Sequence, residues 1–355
     1  DSSSRKPQIL CEIEPDTDPV RATDSAREDA KRRSYAGRCV PEGKLDGWRL
    51  TPLPKPTLWR GVKHLKDEPS QAEGGCRVML MDHRHPVVLV HGWRSHPGIW
   101  NHLAPALQDA GLPCWKFDHT AIQENGTEAI ALALQEFIRA RRKENGYGGP
   151  VDIVCHSMGT CIARYLLEVI DGSDREEDVR FLVGIGPPNK GSAMAEAFND
   201  PEQGPEVIRR LAGVFVPRGY DPTEDLIVQE FRPGSRVTSA LSRAGTRDDI
   251  AYRLILAANL TRTPAFFPAF GGRTLEFAPG EGWRMTYAGD GIVPHSDSHL
   301  PGAGVEILPA DPANLGRHPE RYCHIMLPRN PEVIAHVRSC LAASAAPDVR
   351  TPPRS

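Results

Sequence analysis

One stretch narrows the folding options more than any other. Val151-Asp152-Ile153-Val154-Cys155-His156-Ser157-Met158-Gly159 takes an apolar strand, without a linker, into a tight turn and then into an amphipathic helix. Ile162, Leu166, Val169 and Ile170 recur on one side of that helix, and Asp171-Gly172 ends it. A strand and a helix can meet this abruptly only if small residues stand two positions before and two after the serine. Gly159 meets the second requirement; Cys155 stands at the first, where glycine is the usual choice. The turn pushes a hydroxyl out at the end of a strand. That hydroxyl becomes a nucleophile only when a base is hydrogen-bonded to it.

The surrounding pattern supplies the sheet such a turn needs. Residues 77–81 and 86–90 read as strands, the second a continuous apolar run of the kind found where both sheet faces are covered. Leu103, Leu107 and Leu112 mark a helix that Gly111 ends, and residues 114–117 read as a further strand. A strong helix is expected from Thr127 to Arg142, stopped at Asn145-Gly146, and residues 179–185 read as another buried strand. Strand and helix alternating in this way imply a mostly parallel sheet flanked by helices. A last strand is expected at 283–288, and a closing helix at Asn330-Pro331, where Asn serves as N-cap and Pro takes the first helical position.

Three segments lack this regularity. Residues 1–75 are polar and rich in proline, with mixed charge such as Arg27-Glu28-Asp29-Ala30-Lys31-Arg32-Arg33, and read as an N-terminal extension with one short helix after Asp24. Trp48 and Trp59 within it read as packing anchors. Residues 76–345 form the main domain, and residues 346–355 read as a disordered tail. Inside the main domain, residues 192–282 are broken by proline and glycine and read as a lid-like insertion. Its apolar cluster, Ala265-Phe266-Phe267-Pro268-Ala269-Phe270, either lines a binding site or packs a small core of its own.

Composition excludes several classes. A formal net charge of -3 offers nothing to nucleic acid, and no run approaches the about 18 apolar residues a membrane span needs. The eight cysteines lack the paired spacing of a zinc site, and Cys155 and Cys161, flanking the turn, read as small buried hydrophobes. No cofactor and no metal are expected. Asn125 and Asn259 fit the glycosylation pattern, which arises often by chance. The first residue, Asp1, reads as that of a processed or trimmed chain.

Candidate partners for Ser157 follow from chain order. Helical amides after the turn make the Met158 N–H an oxyanion donor, and the run Val87-Val88-Leu89-Val90-His91-Gly92-Trp93 offers the Trp93 N–H as the second. The order nucleophile, acid, base calls for a carboxylate after a late strand. Asp290, between Gly289 and Gly291, is preferred, with Asp297 as its competitor. His324, just before the closing helix, is the expected base; His295 and His299 lie too near Asp290 in sequence.

The run 151–159 closely resembles the nucleophile region of small secreted bacterial lipases. Pro187-Pro188-Asn189-Lys190-Gly191-Ser192 is similar to the turn that follows the next strand in those enzymes. Asp290-Gly291-Ile292-Val293 with Ser298-His299-Leu300 resembles the acid loop of the larger calcium-containing bacterial lipases. In that subgroup a cysteine precedes the Ser-His-Leu stretch and an aspartate follows the catalytic histidine by two; here those places hold His295 and Met326, so neither the disulfide nor the calcium site carries over. The resemblance, spanning about residues 86–341, implies an α/β-hydrolase fold and an exported ester hydrolase with Ser157, Asp290 and His324 as its triad. Folded over the triad, the insertion 192–282 would offer its Leu, Val and Phe side chains as an apolar acyl site and a lid, which favours an apolar or long-acyl ester substrate and transient contact with a lipid interface; no protein partner is inferred. Acyl transfer and thioester hydrolysis use the same triad and stay open, as does, more remotely, a hydrolase-fold protein that only binds a ligand.

Overall fold

The computed structural model describes residues 85–342 apart from Pro279. The strand expected at 77–81, the helix after Asp24, Trp48, Trp59, the extension and the tail lie outside those residues. Six parallel strands form the central sheet: β1 (Val87–Val90), β2 (Cys114–Phe117), β3 (Val151–His156), β4 (Val179–Ile185), β5 (Ala251–Ala257) and, after the two strands of a separate hairpin, β8 (Gly304–Leu308). Their spatial order is β2-β1-β3-β4-β5-β8, every neighbouring pair parallel.

Both faces of the inner part of the sheet are covered, which is why β1 reads as an unbroken apolar run. Along β1, Val87 and Leu89 join one core while Val88 and Val90 join the other, and none of the four has any exposed surface. Burying each such side chain contributes about 1.5–3 kcal/mol. The first core collects Trp100, Leu103 and Leu107 with Val333, Val337 and Leu341 of the closing helix Pro331–Ala342. The second collects Ile130, Leu134 and Ile138 of the helix Gly126–Glu144 with Ile162 and Leu166 of the segment after Ser157. That segment is an α-helix over Met158–Arg164 that widens to π-type turns over Tyr165–Ile170. The closing helix is capped as its sequence implies: the Asn330 side-chain oxygen accepts the Glu332 N–H at 2.8 Å.

Two expectations need correction. Residues 192–282 are not one insertion over the sheet, because Ala251–Ala257 within them is β5, paired on one side with β4 and on the other with β8. Its Leu254, Ile255, Leu256 and Ala257 are buried, yet seven residues between irregular segments give periodicity little to register. The excursion between sheet strands is thus 186–250, carrying short helices at Ala193–Phe198, Gly204–Leu211, Leu226–Glu230 and Arg236–Ala244. The strand expected at 283–288 exists as β7 (Gly282–Thr286), but it pairs antiparallel with β6 (Thr274–Ala278) in a separate hairpin. Alternation cannot tell a hairpin strand from a sheet strand, since pairing partners are chosen by the tertiary fold.

Phe266, Phe267 and Phe270 belong to the first core of the domain, so they neither line the cleft beside Ser157 nor pack a small core of their own. The Phe267 ring lies against Gly291 and so backs the loop carrying Asp290. Cys155 and Cys161 are free and buried, and Cys114, Cys323 and Cys340 are also free. Asn259 is buried, its amide donating to the carbonyls of Thr263 and Gly272, so it is not an exposed glycan acceptor. Among the described residues no helix is long and apolar enough to cross a membrane.

Candidate active site

The side chains of interest sit at the carboxyl ends of the parallel strands, where loops from several strands converge. Ser157 leaves β3 with φ 55° and ψ -130°, a region that side chains other than glycine rarely occupy. The turn is held from both sides: the Ser157 N–H donates to the Ile185 carbonyl at 2.9 Å and the Ser157 carbonyl accepts the Thr160 N–H at 3.0 Å. Gly159 explains the spacing of the motif. A Cβ there would lie 2.5 Å from the His91 carbonyl oxygen and 2.6 Å from that of Val90, so the helix rests directly on the backbone at the end of β1.

His324 bridges the other two groups. Its Nδ1–H donates to Asp290 Oδ2 at 2.7 Å, which leaves Nε2 to accept the Ser157 hydroxyl at 2.9 Å. Ser157, His324 and Asp290 are all buried. The other Asp290 oxygen accepts the N–H groups of Ile292 and Val293 at 3.1 and 2.7 Å, and the His324 N–H donates to the Asp290 carbonyl at 2.8 Å. Asp290 reaches the sheet by a detour: after β5 the chain makes the β6–β7 hairpin and returns, pinned where the Asn259 N–H meets the Tyr287 carbonyl and the His295 Nε2–H meets that of Ala257. Gly186, at the end of β4 with φ 57°, leaves the room; a Cβ there would stand 2.7 Å from Asp290 Oδ2.

The residue before the serine also acts on this chain of bonds. The His156 Nε2–H donates to the His324 carbonyl at 3.0 Å, fixing the backbone behind the imidazole. Burial, with the nearby His324 adding to it, holds His156 well below the usual imidazole range and therefore neutral. A second buried pair, His91 and His119, stacks with ring centroids 3.7 Å apart beneath the loop after β1. Burial and the neighbouring imidazole push His91 down to about 3.

Asp297, the competing acid, does not reach His324. Its carboxylate accepts the Ala193 N–H at 2.6 Å, and burial raises it to about 7. His295 faces Ala257, and His299 is exposed. The position two beyond His324 is Met326, whose thioether lacks the hard oxygen that calcium takes, and among the described residues no three His, Cys, Asp or Glu side chains stand together as a metal site.

Ser157 opens on a cleft of about 430 Å³, its open mouth included. Its walls include Trp93, Met158, Met194, Phe198, Phe215, Ile227, Val228, Phe231, Ile292 and Val293; Ser157 and Ser192 are the polar side chains among the lining residues. Most of these come from the excursion after β4, which therefore roofs the serine. Trp93, at the loop after β1, and Met158, at the helix start, line the same cleft as the serine. The Met158 N–H heads its helix, where amides have no acceptor within the helix. Phe215, whose ring meets that of His324 edge-on at 5.8 Å between centroids, was not legible as a site residue, since nothing near it in sequence marks it.

Residues 85–251 match a family model described as the alpha/beta hydrolase fold. The described residues form an α/β-hydrolase domain. Among solved structures, this hydrolase domain is similar to the mature form of the Bacillus licheniformis lipase BlEst2, with a TM-score of 0.51 and 16% identity over 73% of this chain and 92% of that one. It resembles more loosely the Legionella pneumophila phospholipase PlaB, with a TM-score of 0.47 and 17% identity over 72% of this chain and 60% of that one. The metagenomic carboxyl esterase MGS0156 gives a TM-score of 0.46 and 18% identity over 72% and 76%. No curated protein matches by sequence.

Proposed function

We propose that this chain hydrolyses carboxylic esters bearing an apolar acyl group, through an acyl-enzyme on Ser157. The hydrogen-bonded series Asp290, His324, Ser157 at the floor of an apolar cleft carries the reading. His324 Nε2 takes the hydroxyl proton as Ser157 Oγ attacks the ester carbonyl carbon, and the Asp290 carboxylate stabilises the imidazolium that results. The Met158 and Trp93 amides receive the oxyanion. The imidazolium then protonates the departing alkoxide, and a water activated by the same histidine releases the acid. The roof supports an apolar acyl chain, because its side chains offer contact area and almost no hydrogen bonds to compete for a polar group. The fold supports ester hydrolysis as a class, and export together with contact at a lipid interface belongs to the same proposal.

A fluorophosphonate probe tests the reading directly. It is expected to label the parent chain and not Ser157→Ala; equal labelling of both would refute it. A rate series over p-nitrophenyl esters of increasing chain length, measured below and above their solubility limits, tests the acyl preference. A preference for short dissolved esters would leave an esterase and remove the lipase reading. Product analysis with added alcohol separates hydrolysis from acyl transfer, since dominant ester formation in water would overturn the hydrolase reading.

A further inference from the structure

Asp225 is buried at the start of the helix Leu226–Glu230, yet most of its bonds leave that helix. One oxygen, Oδ1, accepts the Ile227 and Val228 N–H groups at 2.8 and 3.4 Å, an ordinary cap. The other, Oδ2, accepts four donors from two other places in the chain: Trp93 Nε1–H at 2.9 Å, Arg94 Nε–H at 3.1 Å, Arg94 Nη2–H at 2.9 Å and the Tyr220 hydroxyl at 2.6 Å. Arg94 lies over the Tyr220 ring, 4.2 Å from its centroid, and also donates to the Tyr220 hydroxyl. The carboxylate is held below its usual range: burial opposes this, and the bonds from Tyr220, Trp93 and Arg94 outweigh it.

Two features show what this cluster holds. Arg94 has φ 46°, a left-handed backbone that persists in a residue with a side chain only where its surroundings over-determine it. Trp93 directly precedes it, with its indole tied to Asp225 and packed on Phe215, ring centroids 5.3 Å apart. The chain direction between β1 and the cleft is thus set by a residue about 130 positions away, in the roof.

We propose that Asp225 is a positioning residue for the loop carrying the Trp93 amide, locking that oxyanion donor to the roof of the cleft. The proposal rests on the ester-hydrolase reading. Without the carboxylate, Arg94 relaxes from its left-handed turn, the Trp93 N–H swings away from the oxyanion, and the roof loses its tie to the loop. Binding of the acyl chain is little altered, because the apolar walls remain.

The test compares the full chain with Asp225→Asn. Asparagine must aim its amide either at the Trp93 and Arg94 donors or at the helix amides, so one set is lost. Turnover is measured per site titrated by fluorophosphonate, with affinity for an alkyl boronic acid, whose tetrahedral adduct places an oxygen where the oxyanion forms. Removing an oxyanion donor outright costs about 100- to 1000-fold, so displacing one is expected to lower kcat about 10- to 100-fold. KM is expected to stay within about threefold, since apolar contacts bind ground and transition states alike, with boronate affinity falling in step with kcat. Hydrogen exchange of the peptide 91–96 is expected to quicken while that of 151–156 holds. Unchanged turnover per titrated site, or unchanged exchange at 91–96, overturns the proposal even if the melting temperature drops. Where Asp225→Asn fails to fold, Tyr220→Phe removes one donor and leaves the carboxylate; it is expected to give the same pattern, more weakly. A parent chain inert to esters and to fluorophosphonate sinks the ester reading instead, and quickened exchange would still report the tie between Asp225 and the loop.

Discussion

Replacing Asp290 by asparagine changes one atom of the side chain, and the surroundings dictate which way the new amide faces. Oδ1 accepts two backbone N–H groups, from Ile292 and Val293, while Oδ2 accepts one proton, from His324. An amide nitrogen turned toward Ile292 and Val293 would set donor against donors, so it must turn toward His324. There it donates, and His324 Nδ1 has to become the acceptor, which moves the ring proton to Nε2. In that tautomer the imidazole can no longer take the Ser157 proton. The same exchange in a Ser-His-Asp triad costs about 10,000-fold in kcat, or about 5.4 kcal/mol of transition-state stabilisation. Gly186 opposite leaves room for the amide hydrogens, so the fold should be little disturbed. Steady-state hydrolysis of p-nitrophenyl acetate at pH 7–8, with a melting curve for each protein, measures both. Retention of more than a tenth of the parent rate by a folded Asp290→Asn chain would refute the reasoning, showing that Asp290 does not set the tautomer of His324.

Other predictions concern stability and its pH dependence. Gly159→Ala sets a methyl against two backbone carbonyls of the β1 end, and overpacking of this kind is expected to cost about 3 kcal/mol in denaturant unfolding; a variant as stable as the parent would mean that the helix can lift at no cost. His91, His119 and His156 all lie below the unfolded value, principally through burial. The unfolded chain therefore binds protons that the folded chain refuses, and stability should decline as pH falls below about 6.5, by at most about 1.4 kcal/mol per pH unit for each histidine; a melting temperature that rises between pH 6 and 5 would contradict this. Asp297 has the opposite sign: burial, with Glu276 and Asp290 nearby, raises it to about 7 against the Ala193 N–H bond, so the folded chain keeps a proton there and loses stability as pH rises toward 7. Asp297→Asn, which can still accept the Ala193 N–H, should raise the melting temperature at pH 8 by about 10 °C, from about 4 kcal/mol, and leave it unchanged at pH 4; equal shifts at both values would remove the ionisation argument.

What the sequence determined by itself was local. Residues 151–172 could be read because strand, turn and helix follow one another, so that each requirement of the turn falls within a few positions of Ser157. The strand at 86–90 was legible from its uninterrupted apolar character, those at 114–117 and 179–185 from short apolar stretches broken only by Lys116 and by Arg180 and Gly184, and the helix Gly126–Glu144 from its length and period. Asp290 and His324 could be named as candidates from chain order and turn chemistry.

The tertiary structure decided everything that depends on which segments meet. It placed Ala251–Ala257 in the sheet and Gly282–Thr286 outside it, a choice made by pairing partners rather than by the strands' own residues. It set Asp297 under the Ala193 amide and Asp290 against His324, although both are aspartates in one short loop. It also chose Phe198, Phe215 and Phe231, and not Phe266, Phe267 and Phe270, to wall the cleft, and brought Asp225 to Trp93. Hydrophobic burial is nondirectional, so a phenylalanine's own sequence says that it will be buried and leaves its neighbours to the packing of distant segments.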